Sequence, residues 1–210
     1  CYALFDDALR RQALQQLERE NELRRALQRG EFEPFYQPII QLDSGRVAGF
    51  EALLRWEHPS HGMLLPSEFL LQAEESGLLE SIDWQLYSRV FEQVHRFVAL
   101  DQYVSINVGA RHLRSANFVA RLMELLTRHR VYPKQVQIEV TERSLFEQPE
   151  FASDLLSSLR AAGVRVALDD FGTGYSSLSY LHQFPLQVLK IDRSFVEAIG
   201  KPDSGNALAV

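Results

Sequence analysis

Apolar positions Leu9, Leu14, Leu17, Leu23 and Leu27 are spaced by charged and amide residues through Phe5–Arg29, and Gly30 follows as a stop. That spacing predicts one long amphipathic helix. From Phe35 the pattern changes to short β-rich runs, near Phe35–Ile40, Val47–Leu54, Val104–Asn107, Val136–Val140, Val164–Asp169 and Val188–Asp192. Between them lie helical stretches near Ser67–Glu75, Ile82–Phe97, Asn117–His129, Phe151–Ala162 and Ser176–Gln183. The alternation predicts βα units in an α/β fold. Neither an internal repeat nor a low-complexity linker interrupts them, so the expected organisation is a helix over 1–30, either a solvated amphipathic helix or a signalling or dimer-forming connector, and one domain over 31–210.

Polar residues cluster at or just beyond the C-terminal ends of these strands: Glu51, Asn107, Glu139 with Glu142, Asp169 with Asp170, and Asp192 beside Lys190. A single acid at a strand end is commonly a cap or a turn former. Successive strands ending this way fit the active-site face of a parallel barrel better, because that is where such strand ends converge. Carboxylate and amide oxygens are hard ligands that select Mg²⁺ or Mn²⁺. The adjacent acids Asp169 and Asp170 suit two neighbouring ions, which at about 3.5–4 Å apart clamp the attacking and leaving oxygens of a phosphoryl displacement. Phosphodiester hydrolysis is the reaction class that follows. Lys190 would neutralise phosphate charge or hold the attacking hydroxide, the plainer alternative being an ion pair with Asp192.

Composition narrows the field. The formal net charge of -6 argues against a nonspecific duplex nucleic-acid binder, which would concentrate positive charge. Cys1 is the single cysteine, so neither an internal disulfide nor a thiolate cluster is available and the reducing cytoplasm is the expected location of the domain. The stretch contains no apolar run long enough to span a membrane and no charged-then-apolar leader, while an anchor upstream is left open.

Two further motifs carry weaker signals. Gly172 and Gly174 in DDFGTGYSS (Asp169–Ser177) permit tight turns beside a metal site and fit a mobile loop, not a dinucleotide fingerprint, which belongs after a first strand. His58 and His61 in WEHPSHG lack a third soft ligand for zinc, and His95, His112, His129 and His182 read as surface or capping residues.

Six stretches together resemble one family: YQPI at Tyr36–Ile39, EALLRW at Glu51–Trp56, SIN at Ser105–Asn107, EVTE at Glu139–Glu142, DDFGTGYSSLSYL at Asp169–Leu181 and KIDRSFV at Lys190–Val196. In this order and at these separations they look like the EAL domain of cyclic di-GMP phosphodiesterases. The resemblance implies a modified (β/α)8 TIM barrel with one strand running against the others. It implies hydrolysis of cyclic di-GMP to linear pGpG in bacterial second-messenger signalling, with two Mg²⁺ or Mn²⁺ ions. Glu51, Asn107, Glu139 and Asp169 would be metal ligands, Asp170 would serve the second ion, and Lys190 would assist the water, so that Glu51, Asp170 and Lys190 carry the catalysis. Gln37, Leu53 and Arg55 would line the substrate pocket, and Glu142 would steady the loop from Asp169 to Ser177. RENELRRAL followed by GEF resembles the connector from a preceding GGDEF domain, so an upstream GGDEF or sensory domain is an expected partner, and a homodimer through the domain or the connector helix is compatible with it.

The alternative within the same resemblance is an inactive receptor module that only binds cyclic di-GMP. The intact set of acids and the full glycine-rich loop favour the enzyme over that receptor. A metabolic barrel enzyme of another superfamily fits the fold pattern but not the motifs. Gly109 stands where the family more often has Ser, a change expected to be tolerated. The family's late glutamate and glutamine, on a seventh and an eighth strand, would fall after Val210, so the stretch 1–210 by itself is expected to be inactive.

Overall fold

The structure is a computed structural model, described over residues 7–147, 149–172 and 183–198. Its elements in chain order are α1 (Asp7–Arg29), β1 (Phe32–Ile40), β2 (Val47–His58), β3 (Gly62–Leu64), α2 (Pro66–Glu75), α3 (Leu79–Gln93), β4 (Tyr103–Asn107), α4 (Ala110–Leu113) and α5 (Phe118–His129). There follow β5 (Val136–Thr141), α6 (Glu142–Glu147), α7 (Pro149–Ala161), β6 (Arg165–Phe171), β7 (Val188–Ile191) and α8 (Arg193–Ala198). All six predicted strands are present. Strand β3 and the short helices α4, α6 and α8 are additions that the sequence pattern did not mark. The helix expected over Ser176–Gln183 falls on residues 173–182, outside the described residues, as does most of the glycine-rich loop.

The strand order is β1-β2-β4-β5-β6-β7, with β3 paired to β2. Pairs β2–β4, β4–β5, β5–β6 and β6–β7 are parallel, whereas β3 is antiparallel to β2. Strands β1 and β2 are neighbours joined only by the turn Gln41–Arg46, in which the Gln41 amide donates to the Arg46 carbonyl at 2.9 Å. A connection that short cannot make a parallel crossover, so β1 runs against β2. No helix among the described residues is long and apolar enough to cross a membrane.

The chain divides into two units, one of residues 1–36 and 53–92 and one of 37–52 and 93–210. In the first, Leu23 and Ala26 of α1 are fully buried, and Phe32, Trp56 and Phe69 form an aromatic cluster with ring centroids 5.5–5.7 Å apart. The earlier turns of α1 are different: Leu14 and Leu17, on the apolar side of the sequence pattern, are more than half exposed. Helix α2 starts on Pro66, and the Glu68 carboxylate reaches back to accept from the Leu65 amide at 2.7 Å, which fixes that start. The turn between β2 and β3 is held by His58, whose Nδ1 accepts the amides of Ser60 and His61, both at 3.1 Å. Those hydrogen bonds account for the histidine pair as turn structure.

In the second unit β4, β5 and β6 up to its bulge alternate apolar residues on one face with the site-bearing residues on the other. Val104 and Ile106 of β4, Val136, Ile138 and Val140 of β5, and Val166 and Leu168 of β6 are all fully buried. The helices that follow these strands contribute Leu122, Leu126, Leu145, Leu156 and Leu159 to the same core. The other parity carries Ser105, Asn107, Gln137, Glu139, Ala167 and Asp169, and it is this parity that builds the site. His112, read from sequence as surface or cap, is instead 1% exposed and stacks on Phe118 at 5.1 Å between centroids. It follows an exposed Arg111 on a helix of one turn, too short to show a period. Gly49 pairs with Tyr103 across β2 and β4, and a Cβ there would come within 2.3 Å of the Tyr103 carbonyl, so the close approach of these strands requires glycine.

Candidate active site

Parallel register steps the candidate acids along one face, each two residues further on than the last. Glu51 lies opposite Ser105, Asn107 opposite Glu139, and Thr141 opposite Asp169. Because the pairs are parallel, these positions stand toward the C-terminal ends of β4, β5 and β6 with side chains of the same parity on one face; β2, expected to end at Leu54, runs on to His58, so Glu51 lies mid-strand, near the end of the stretch Gly49–Ala52 that pairs with β4. One carboxylate oxygen from each of Glu51, Glu139 and Asp169 lies within 4.8 Å of the others.

Lys190 comes into this cluster from β7. Its Nζ donates to Glu51 Oε2 at 3.1 Å and to Glu139 Oε2, and lies 3.2 Å from Asp169 Oδ1. The ion pair with Asp192 considered from sequence is replaced by these three. Asp192 instead caps α8: its Oδ1 accepts from the Ser194 amide at 2.9 Å and from the Ser194 hydroxyl. Those bonds hold the Asp192 carboxyl below its ordinary pKa. Asp192 therefore leaves the set of strand-end acids that converge.

The charges are unequally placed. Glu139 has no exposed side-chain surface, whereas Glu51 and Asp169 are each 18% exposed. Burial pushes the Glu139 carboxyl above its ordinary pKa, against the Lys190 and Ser105 hydrogen bonds that favour its charged form. Burial opposes the Lys190 ammonium too, but Glu139, Glu51 and Asp169 around it prevail and raise its pKa. Three carboxyl groups gathered around a single ammonium outnumber it, and their oxygens form a donor set suited to a cation.

Between Leu168–Leu189 and Phe171–Ile191 the β6–β7 register slips, so Asp169 and Asp170 together face the single residue Lys190. This is a β-bulge, and it gives Asp170 a φ of 54°, in the left-handed region that non-glycine residues seldom adopt. In a regular strand two successive side chains point to opposite faces; the bulge brings both near the cluster. Asp170 has its pKa raised by burial, then by the charges of Asp169, Asp192 and Glu51, against the effect of Lys190.

The remaining candidates lie as follows. The Asn107 amide donates to Glu51 Oε1 at 3.2 Å, which ties it to the cluster. Gln37, on β1, is exposed. Leu53 and Arg55 belong to the first unit, where Arg55 Nη1 donates to the Leu54 carbonyl at 2.7 Å and its guanidinium lies 5.8 Å from the Phe35 ring centroid. Glu142 is 3% exposed in the first turn of α6, and the loop segment it was expected to steady falls largely on residues 173–182, outside the described residues. Two residues that sequence reasoning passed over join the site: Ser105 donates to Glu139 Oε1 at 2.5 Å, and Gln137 Nε2 donates to Ser105 Oγ at 3.2 Å. Their signal was parity, since each stands two residues before a candidate ligand on its own strand.

Comparison with known proteins agrees with this geometry. The profile of the EAL domain family matches residues 20–209. The bifunctional diguanylate cyclase/cyclic di-GMP phosphodiesterase MucR of Pseudomonas aeruginosa is 36% identical over 212 residues, an alignment covering 100% of this chain and 31% of MucR. The cyclic di-GMP phosphodiesterase RocR of the same organism is 39% identical over 175 residues, covering 82% of this chain and 45% of RocR. The chain thus spans less than half the length of these relatives. A solved structure of the PaMucR phosphodiesterase in complex with c-di-GMP superposes with a TM-score of 0.82 at 36% identity, covering 89% of this chain and 77% of that one. The fold is accordingly the TIM-barrel-like α/β fold of such domains, and the chain belongs to the EAL domain family.

Proposed function

We propose that the protein hydrolyses one phosphodiester bond of cyclic di-GMP, releasing linear pGpG. The observation that carries this reading is the convergence of Glu51, Glu139 and Asp169, from three different parallel strands, on Lys190. It is supported by the names of the relatives, two of which are cyclic di-GMP phosphodiesterases.

The donor set fits a hard divalent cation, Mg²⁺ or Mn²⁺, because every candidate ligand offers oxygen and the carboxyl groups of the cluster outnumber its ammonium. Glu51, Asn107, Glu139 and Asp169 would hold one ion, and Asp170 would contribute to a second. Bound cations would supply charge stabilisation at the phosphate and acidify water to a nucleophile near neutral pH. The chain's own residues do the rest. Lys190 is positioned to hold a water or a phosphate oxygen, since its ammonium stays protonated among three acids. The amide of Asn107 fixes the Glu51 carboxylate. The bulge at Asp169 and Asp170 presents two neighbouring carboxylates to one region, which a regular strand would not do. Gln37, Leu53 and Arg55 are assigned to substrate, with Arg55 suited to a phosphate oxygen by its forked donors; Glu142 is assigned to the loop after Asp169.

The test is the full-length protein incubated with cyclic di-GMP and Mn²⁺, with pGpG followed by chromatography. Turnover that vanishes on chelation and in Glu51→Gln supports the reading. Binding of cyclic di-GMP without any pGpG, in the presence of Mn²⁺, contradicts it.

A further inference from the structure

We propose that Ser105 and Gln137 are positioning residues that fix the Glu139 carboxylate for the cation, through a buried hydrogen-bond chain that leaves Glu139 Oε2 facing the site. The proposal rests on the cation reading of the preceding section.

Ser105, Gln137 and Glu139 are 0%, 1% and 1% exposed, so bulk solvent does not reach them. A carboxylate only accepts, which sets the direction of the chain. The Ser105 hydroxyl donates to Glu139 Oε1 at 2.5 Å and takes a hydrogen from Gln137 Nε2 at 3.2 Å. Gln137 Nε2 also points at Glu139 Oε1, at 3.4 Å. Reversing the Gln137 amide would set its oxygen against the acceptor Glu139 Oε1 and make it compete for the one Ser105 hydrogen that Glu139 takes, so the nitrogen-first orientation is the one that satisfies the chain. Oε1 is thereby committed to the chain while Oε2 faces Lys190.

The geometry is built by strand register. Ser105 and Gln137 are direct partners across β4 and β5, and Asn107 and Glu139 are the next pair of the same parity. Ala167, fully buried, lies opposite Glu139 on β6 and offers no polar group that could share the load. One feature argues that the pair serves the carboxylate more than the fold. Gln137 Oε1 is buried with no hydrogen-bond partner among the described residues, a cost to stability that an apolar residue of the same size would avoid.

The experiment uses the full-length protein stripped of metal, with Mn²⁺ itself as the probe, titrated by calorimetry alongside thermal unfolding in chelator. Ser105→Ala is expected to weaken Mn²⁺ binding about 10-fold, the usual scale for a residue hydrogen-bonded to a ligand, and Ser105→Thr to restore it. Gln137→Met should weaken Mn²⁺ in the same direction while leaving the metal-free fold as stable as the parent or more so. A purely structural role would instead lower the unfolding midpoint and spare the affinity. Should Ser105→Ala fail to fold, Gln137→Met carries the test alone. Parent-like Mn²⁺ affinity in folded Gln137→Met and Ser105→Ala overturns the positioning role. A parent protein that binds no Mn²⁺ overturns the cation reading, and the positioning role with it.

Discussion

Lys190 Nζ lies 3.2 Å from Asp169 Oδ1, across the point where β6 and β7 lose register. The bulge and the lysine serve each other. Without the extra residue, β6 would turn only one of its two acids toward the cluster; without the ammonium, Glu51, Glu139 and Asp169 would face one another with only a bound cation to separate them.

Lys190→Met should therefore unfold more easily than the parent in chelator and gain more from Mn²⁺ than the parent does. The loss is expected at about 1–3 kcal/mol, below the scale of a fully buried pair because the lysine side chain is 28% exposed. Urea denaturation with and without Mn²⁺ checks this. An equal metal gain in the two proteins would show that the ammonium and the cation do not act on the same carboxylates.

Gly49→Ala tests the strand approach. A Cβ 2.3 Å from the Tyr103 carbonyl must push β2 from β4, and overpacking of this kind costs about 1–3 kcal/mol. Because Glu51 stands two residues along, Mn²⁺ affinity should fall together with stability, read by denaturation and calorimetry on one sample.

At position 109 the opposite holds. Gly109 precedes α4 in extended conformation, φ -76° and ψ 165°, and a Cβ there meets no atom within 4 Å. Gly109→Ser should be accepted with turnover unchanged and gain a few tenths of a kcal/mol by capping α4. A drop in the unfolding midpoint would contradict the open geometry.

How much of this was legible in sequence depended on whether the signal was local. The six strands and the core of unit two follow from alternation, and Glu51, Glu139 and Asp169 were visible as acids toward the C-terminal ends of the predicted strands, although β2 runs on to His58 and leaves Glu51 in its middle. Lys190 was expected among them, but its partners were not legible, since Lys190 and Glu51 lie on β7 and β2, far apart in sequence, and only the folded structure decides which acids the lysine meets. Asp192 shared the strand-end signature and proved to be a helix cap, because α8 begins one residue later and supplies the Ser194 donors. The half-exposed Leu14 and Leu17 show the converse limit: amphipathic spacing marks a face but not whether anything covers it.

Asp192 gives a pH test with a definite sign. Its carboxyl pKa is lowered by the Ser194 hydroxyl and amide, so the cap's contribution is present above the ordinary Asp value of about 3.9 and is lost as pH falls through the lowered one. Carboxyl NMR should place its titration midpoint below that of a free Asp. Ser194→Ala should move it back upward, the backbone amides of Ser194 and Arg193 remaining. A midpoint indifferent to that substitution would remove Ser194 as the cause.

The central claim is that Glu51, Glu139 and Asp169 form one cation site, and Mn²⁺ titration followed by electron paramagnetic resonance tests it most directly. The parent should bind Mn²⁺ with a spectrum distinct from the free ion, and Glu139→Gln, which keeps the side-chain volume, should weaken that binding at least about 10-fold with the fold intact. Unaltered Mn²⁺ binding in a folded Glu139→Gln protein would contradict the account.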